Sequence, residues 1–405
     1  GSVWSLGGTV CLGLMMAISP IAAREYGAGE PATIGHFTRQ AFWLGVALGL
    51  TLFTLSRFFV DPILEFIGID EGFRDLAVGY VRAIVFGYPA ICVFFAFRFT
   101  TEGIGLTRPI MYTSLLALAC NVFLNWVFMF GNLGVPAFGA VGCGMASAVT
   151  VWLTAIVLGG YISMAKVYRP LKIFAHFSPM RLPVLKELIA LGMPIAVTIT
   201  AEAGLFSAIS ILVGTRGVEI TAAHQISLNF AGTMFMIPLA FSAATTVRTG
   251  HALGSGNVAE ARMAGMTGIL MCALFMTFSA TFLLLFRDVV VGIYTNDPQV
   301  MEIAISLLLM AAVFQIADGV QIGAAGALRG YKDTRIPMVI NTFSYWALGF
   351  PLAYLAAIVF QAPPSYIWGG FVLGLSVAAV LLTIRFERLS RTPDQVDRGR
   401  LWKGG

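Results

Sequence analysis

The chain has 405 residues, of which 58% are hydrophobic and only 11% charged, with a mean hydropathy of +0.86. A soluble domain carries about 25% charged residues, so this chain cannot cover an aqueous surface, and lipid is its solvent. The net charge of +5 and pI near 9.0 do not indicate nucleic acid, because the basic residues lie in short loops between apolar runs and form no stripe.

A bilayer core about 30 Å thick takes roughly 20 residues of helix. Eleven apolar runs of that order are expected, near 3–23, 41–66, 76–97, 110–130, 140–162, 190–214, 221–247, 264–286, 303–328, 338–360 and 366–386. They are too long and too uniformly apolar to be the alternating strands of a barrel, so helix is the state that satisfies the backbone in lipid. The expected fold is an all-α integral membrane protein. Residues 1–162 form an amino-terminal lobe of five helices. Residues 163–189, with Lys166, Arg169, Lys172, Arg181 and Lys186, read as a cytoplasmic connector. Residues 190–386 form a carboxyl-terminal lobe of six helices, and 387–405 a cytoplasmic tail. Apart from Arg57, Arg74, Arg82, Arg216 and Arg287, all Lys and Arg fall in alternate loops or the tail, leaving 20 of the 25 on one side. The positive-inside rule makes that side cytoplasmic, and puts Arg181 inside and Asp70 outside.

A shift of 227 residues superposes Gly27-Ala28-Gly29 on Gly254-Ser255-Gly256, Phe59 on Phe286, Asp61 on Asp288 and Asp70 on Asp297. At 228, Pro109 falls on Pro337. One offset running through successive helices implies two parallel, pseudo-symmetric six-helix bundles. The counterpart of the run at 190–214 would precede Gly1, so one further helix is expected upstream of the eleven present. The five cysteines, Cys11, Cys92, Cys120, Cys143 and Cys272, lie in apolar runs without a CxxC pair. That spacing favours core packing over metal binding or a disulfide. The histidines, His36, His176, His224 and His251, sit near run ends and read as interfacial.

Among the 20 acidic residues, Glu202 and Asp318 lie in the middle of apolar runs. An ionisable group at such depth marks function by default, and no Lys or Arg appears at mid-depth to pair with either. A carboxyl there can hold and trade a proton or a small cation, as counter-transport requires. Gln315, Asp318 and Gln321 recur at spacing three and share one helix face, which should look into a bundle. Asn121 and Asn125, four apart, fit helix–helix hydrogen bonding and cation coordination equally well.

The chain resembles the multidrug and toxic compound extrusion (MATE) family, nearest its NorM-like branch. The resemblance runs over essentially the whole length and is most specific in PIAAREYGAGE, the segment from Pro194 to Ser207, NFAGTMFMIPLAFSAATTVRTGHALG and ALRGYKDTRIP. It implies twelve helices in two lobes and export of amphipathic, often cationic compounds driven by Na+ or H+. It also implies that Glu202 and Asp318 bind the coupling cation, and that Asn121 and Asn125 belong to an amino-terminal polar site with an Asp on the first helix. Phe314, one turn before Asp318, departs from the Tyr of some relatives. No cofactor is expected beyond the coupling ion. The expected partners are membrane lipid and small amphipathic substrates, with no nucleic acid, and the protein is expected to be a monomer in a bacterial-type inner membrane. A lipid-linked saccharide flippase of the same superfamily would line its cavity with several Arg. A membrane-embedded enzyme would need clustered nucleophile and base. A channel would not require the two-lobed repeat.

Overall fold

The computed structural model describes residues 2–66, 71–175 and 178–391. Asp70, His176 and the tail beyond Arg391 lie outside these. The described residues form α1 (Ser2–Met15), α2 (Ile18–Gly27), α3 (Pro31–Phe66), α4 (Glu71–Ile84), α5 (Tyr88–Gly103), α6 (Arg108–Phe128) and α7 (Gly139–Met164). These are followed by α8 (Leu182–Gly214), α9 (Val218–Gly254), α10 (Val258–Tyr294), α11 (Pro298–Gly330), α12 (Arg335–Phe343), α13 (Phe350–Tyr354) and α14 (Pro364–Arg391). Among the described residues there is no strand, and eleven spans are long and apolar enough to cross a membrane. Three of them are composite. α1 with α2 makes Trp4–Gly27, α4 with α5 makes Arg74–Gly103, and α12 with α13 makes Arg335–Val359 through π-helical turns at Ser344–Gly349 and Leu355–Val359.

The helices overrun the expected spans. α9 and α10 each have 37 residues, about 55 Å of helix against a 30 Å core. Hydropathy registers only the apolar middle, whereas local chemistry sets the ends. Asn257 caps α10, its Oδ1 accepting from Glu260 N at 3.0 Å while its Nδ2 donates to Glu260 Oε2 at 3.1 Å. Asp297 caps α11 by accepting from Gln299 N at 2.9 Å, with Pro298 at the first helical position.

The internal repeat reappears in these boundaries. α2 ends at Gly27 and α9 at Gly254; α3 starts at Pro31 and α10 at Val258. α5 ends at Gly103 and α11 at Gly330. Each pair is separated by 227.

By contacts the chain divides into Gly1–Ala196 and Val197–Gly405. In the first unit, Cys11, Met15, Phe95 and Phe99 pack with Leu188 from the first turns of α8. The segment expected as a connector, 163–189, begins in the last turn of α7, passes a 3-10 turn at Lys166–Leu171 and ends inside α8. It is bound to α3. Arg39 Nε donates to Ser178 Oγ at 2.9 Å, Trp43 Nε1 to Ser178 O at 3.1 Å, and Gln40 Nε2 to Pro179 O at 2.9 Å. In the second unit, Leu205, Phe314, Trp368 and Phe371 form the centre of the core.

Two expectations are corrected here. Cys11 and Cys92 are joined in a disulfide between α1 and α5, across 81 residues. Both are fully buried, so the core placement holds, but the sequence carries no spacing signal for a pairing that only the packing of α1 on α5 creates. His224 is not interfacial. It is fully buried, with Trp368 Nε1 donating to its Nδ1 at 3.1 Å and Ser210 Oγ 2.9 Å from its Nε2. An Nδ1 that accepts leaves the ring proton on Nε2, facing Ser210.

Candidate functional site

The polar face of α11 is buried in the second unit. Gln315, Asp318 and Gln321 are all under 5% exposed, as their spacing of three requires of a face turned into a bundle. Gln315 Oε1 accepts from Ser279 Oγ of α10 at 3.0 Å. Gln321 Nε2 donates to Tyr345 OH at 2.9 Å. Tyr345 is fully buried in the Ser344–Gly349 π-turn, and its hydroxyl also hydrogen-bonds the Glu202 side chain from α8. A phenol that accepts from an amide has its proton free to donate to a carboxylate, so the chain of bonds runs Gln321 to Tyr345 to Glu202.

Glu202 and Asp318 lie within electrostatic reach of each other. Glu202 is half-buried whereas Asp318 is buried. Asp318 Oδ1 has no hydrogen-bond partner, and neither do Gln321 Oε1 and Gln315 Nε2 on the same face. On the facing segment the amide of Asn341 and the hydroxyl of Ser344 are also buried without partners. Buried polar atoms are rarely left unpaired, because each costs about 1–3 kcal/mol. A cluster of them marks a place that water or an ion fills. Four of these six atoms are hard oxygens and two are amide nitrogens, and among the described residues no group of three His, Cys, Asp or Glu converges. Such a set suits a proton or an oxygen-seeking monovalent cation and not a transition metal.

Arg329 corrects the expectation that no basic residue reaches these carboxylates. In sequence it stands at the end of α11, but its side chain runs back along the helix and is 8% exposed. Nε donates to Ala325 O at 3.3 Å and Nη2 to Ser242 Oγ at 2.7 Å. From there its charge acts on Glu202. A long side chain at a helix end can reach a full turn or more inward, which residue position alone does not register. Tyr345 was also absent from the sequence reading. A signal was present in Asn341, Ser344 and Tyr345, whose spacing of three and four makes a polar stripe in an apolar run. Phe314 meets Phe206 at 5.9 Å, Phe371 at 5.8 Å and Trp368 at 6.1 Å between ring centroids, so at this position an aromatic wall backs the site instead of a phenol.

Asn121 and Asn125 belong to the first unit. Asn125 Nδ2 donates to both Asn121 O and Asn121 Oδ1 at 2.9 Å, and Asn121 Nδ2 approaches Thr150 Oγ1 of α7 at 3.5 Å. Both are half-buried, and Asn125 Oδ1 lacks a partner. The pair thus links α6 to α7 and keeps one acceptor unused.

A family model described as MatE matches residues 1–127 and 194–355. The multidrug resistance protein MdtK of Photorhabdus laumondii is 35% identical over 391 residues, covering 95% of this chain and 85% of that protein. The crystal structure of the eukaryotic MATE transporter AtDTX14 has a TM-score of 0.84 at 22% identity, covering 98% of this chain and 88% of that one. A MOP superfamily transporter from Pyrococcus furiosus has a TM-score of 0.85 at 21% identity, covering 96% of this chain and 86% of that one. These two structures share the fold. The family model and the MdtK relative carry the assignment: this chain belongs to the MATE family of membrane transporters, which are not enzymes.

Proposed function

We propose that the protein is a secondary antiporter. It exports amphipathic, cationic drugs and toxins in exchange for Na+ or H+ by alternating access, as a monomer in the cell membrane. The observation that carries the reading is the Glu202–Asp318 pair, two carboxylates within electrostatic reach, one of them buried with an unpartnered oxygen. Its relative's name, multidrug resistance protein, supports the substrate class. A monovalent cation bound between the carboxylates offsets one negative charge, and its departure leaves charge that a cationic drug can offset. Cation and drug then exclude one another through shared groups, which is the negative coupling that exchange needs. Glu202→Gln and Asp318→Asn keep the shape and remove the charge. In proteoliposomes, an imposed Na+ gradient or pH gradient should drive drug efflux by the wild type, and each variant should lose it while still binding drug. Normal efflux in both variants, or efflux driven by neither gradient, would overturn the proposal.

A further inference from the structure

An apolar groove of about 720 Å³ opens on the first unit, between α3, α5 and α7. One end is lined by Phe53, Phe86 and Trp152, with Phe86 edge-on to Phe53 at 6.2 Å and tilted against Trp152 at 6.0 Å between ring centroids. At the other, Phe97 stands between Phe42 at 6.1 Å and Phe174 at 5.9 Å. The lining positions run from Phe42 to Phe53 on α3 and from Trp152 to Ser163 on α7. Eleven residues of helix rise about 16 Å, close to half the roughly 30 Å hydrocarbon core, so the groove matches one leaflet in length. Among the described residues nothing else covers it, since Ile156 is 66% exposed and Phe174 55%. Three residues before Ser163, a Cβ on Gly160 would meet no atom within 4 Å, leaving room for a chain to lie against the backbone of α7.

The Ser163 end opens onto the 3-10 turn at Lys166–Leu171, which packs on both α3 and α7. In such a turn residues three apart eclipse. Tyr168 and Leu171 form the buried row, and Tyr168 OH donates to Thr101 Oγ1 at 3.4 Å. Lys166 and Arg169 form the opposite row, which Lys172 continues, and all three are exposed. Among the described residues none of the three is in an ion pair. A slot one acyl chain long thus ends at Ser163, three residues before the first of three exposed cations. Apolar slots ending in basic clusters hold lipid tails and anionic headgroups.

The geometry points to a specific site for an anionic phospholipid, with an acyl chain between α3 and α7 and its phosphate on Lys166, Arg169 and Lys172. The test is native mass spectrometry of the purified protein equilibrated with equal amounts of phosphatidylglycerol and phosphatidylethanolamine. The wild type should retain one phosphatidylglycerol in preference to phosphatidylethanolamine. Gly160→Leu fills the slot and should lower retention roughly tenfold, as several buried methylenes would be displaced. Replacing Lys166, Arg169 and Lys172 by Gln should leave a lipid bound but cut the preference by roughly fivefold per charge. Equal retention of the two lipids by the wild type, or unchanged retention in Gly160→Leu, would overturn the site. A second measurement needs only a conservative aromatic replacement. One equivalent of brominated-chain phosphatidylglycerol in detergent should quench Trp152, an emission component missing from Trp152→Phe; absence of that quenching at one equivalent also overturns it.

Discussion

At the scale of single residues, the site depends on a hydroxyl that the sequence did not single out. Tyr345 accepts a hydrogen bond from Gln321 and donates one to Glu202, so it fixes where the half-buried carboxylate points. Tyr345→Phe removes both bonds and leaves Gln321 Nε2 buried without a partner. A hydrogen bond to a charged group is worth about 1.5–3 kcal/mol, so cation-driven efflux should fall about tenfold or more, with a lower apparent melting temperature in detergent. Efflux at the wild-type rate would make Tyr345 a spectator. Glu202, Asp318 and the flanking glutamines were legible in sequence because charge and amide in an apolar run stand out against their neighbours. Tyr345 was legible only as part of the stripe it makes with Asn341 and Ser344, because a phenol by itself resembles the aromatic residues common in membrane helices. Arg329 was legible only as a residue at a helix end, since the direction of a flexible side chain is decided by what it can reach, here Ser242 Oγ.

At the scale of elements, α11 is held by a contact that admits no side chain. A Cβ on Gly326 would stand 2.4 Å from Ser242 Oγ and 2.5 Å from Ser242 O. Ser242 is a junction, donating to Ile322 O at 2.7 Å and accepting from Arg329 Nη2 at 2.7 Å. Thr246 Oγ1 of α9 donates to Gly326 O at 2.8 Å one turn on. Small residues that let backbones approach, with hydroxyls bonding across, are how helices associate where lipid removes the hydrophobic drive. Gly326→Ala should therefore push α9 from α11, free the Arg329 guanidinium and cost about 1–3 kcal/mol, read as a fall in apparent melting temperature and a loss of efflux. An unchanged melting temperature would show that the interface yields at no cost. The number of spans and their order were legible, because a run of some 20 apolar residues has one viable state in lipid. Helix ends and composite spans were not: caps such as Asn257, the Val85–Gly87 turn and the π-turn carrying Tyr345 are local backbone choices beneath the resolution of hydropathy. The Cys11–Cys92 disulfide was illegible for the same reason that any contact across 81 residues is, since it exists only once α1 has packed on α5.

At the scale of the whole molecule, the repeat is kept in backbone and broken in chemistry. Subtracting 227 from Gln315, Asp318 and Gln321 gives Tyr88, Ile91 and Phe94, so the counterpart of the polar face is apolar. A shared helix plan with one charged face means that the two halves contribute differently to any exchange cycle. Charge also constrains topology, because the basic residues concentrate in alternate loops, with 20 of 25 in one set. Arg181 precedes α8, and Asn296 follows α10. Three spans lie between them, an odd number, so the two positions face opposite sides. Arg181 belongs to the basic set, while the loop at Asn296 is flanked by Asp288 and Asp297 with Arg287 its one nearby basic residue. Cysteines introduced at these exposed positions keep the backbone N–H that bonds Arg181 to Gln40 Oε1. An impermeant maleimide applied to intact cells should label Asn296→Cys and spare Arg181→Cys until the membrane is opened. Labelling of Arg181→Cys alone would invert the orientation, and labelling of both in sealed cells would break the span count between them.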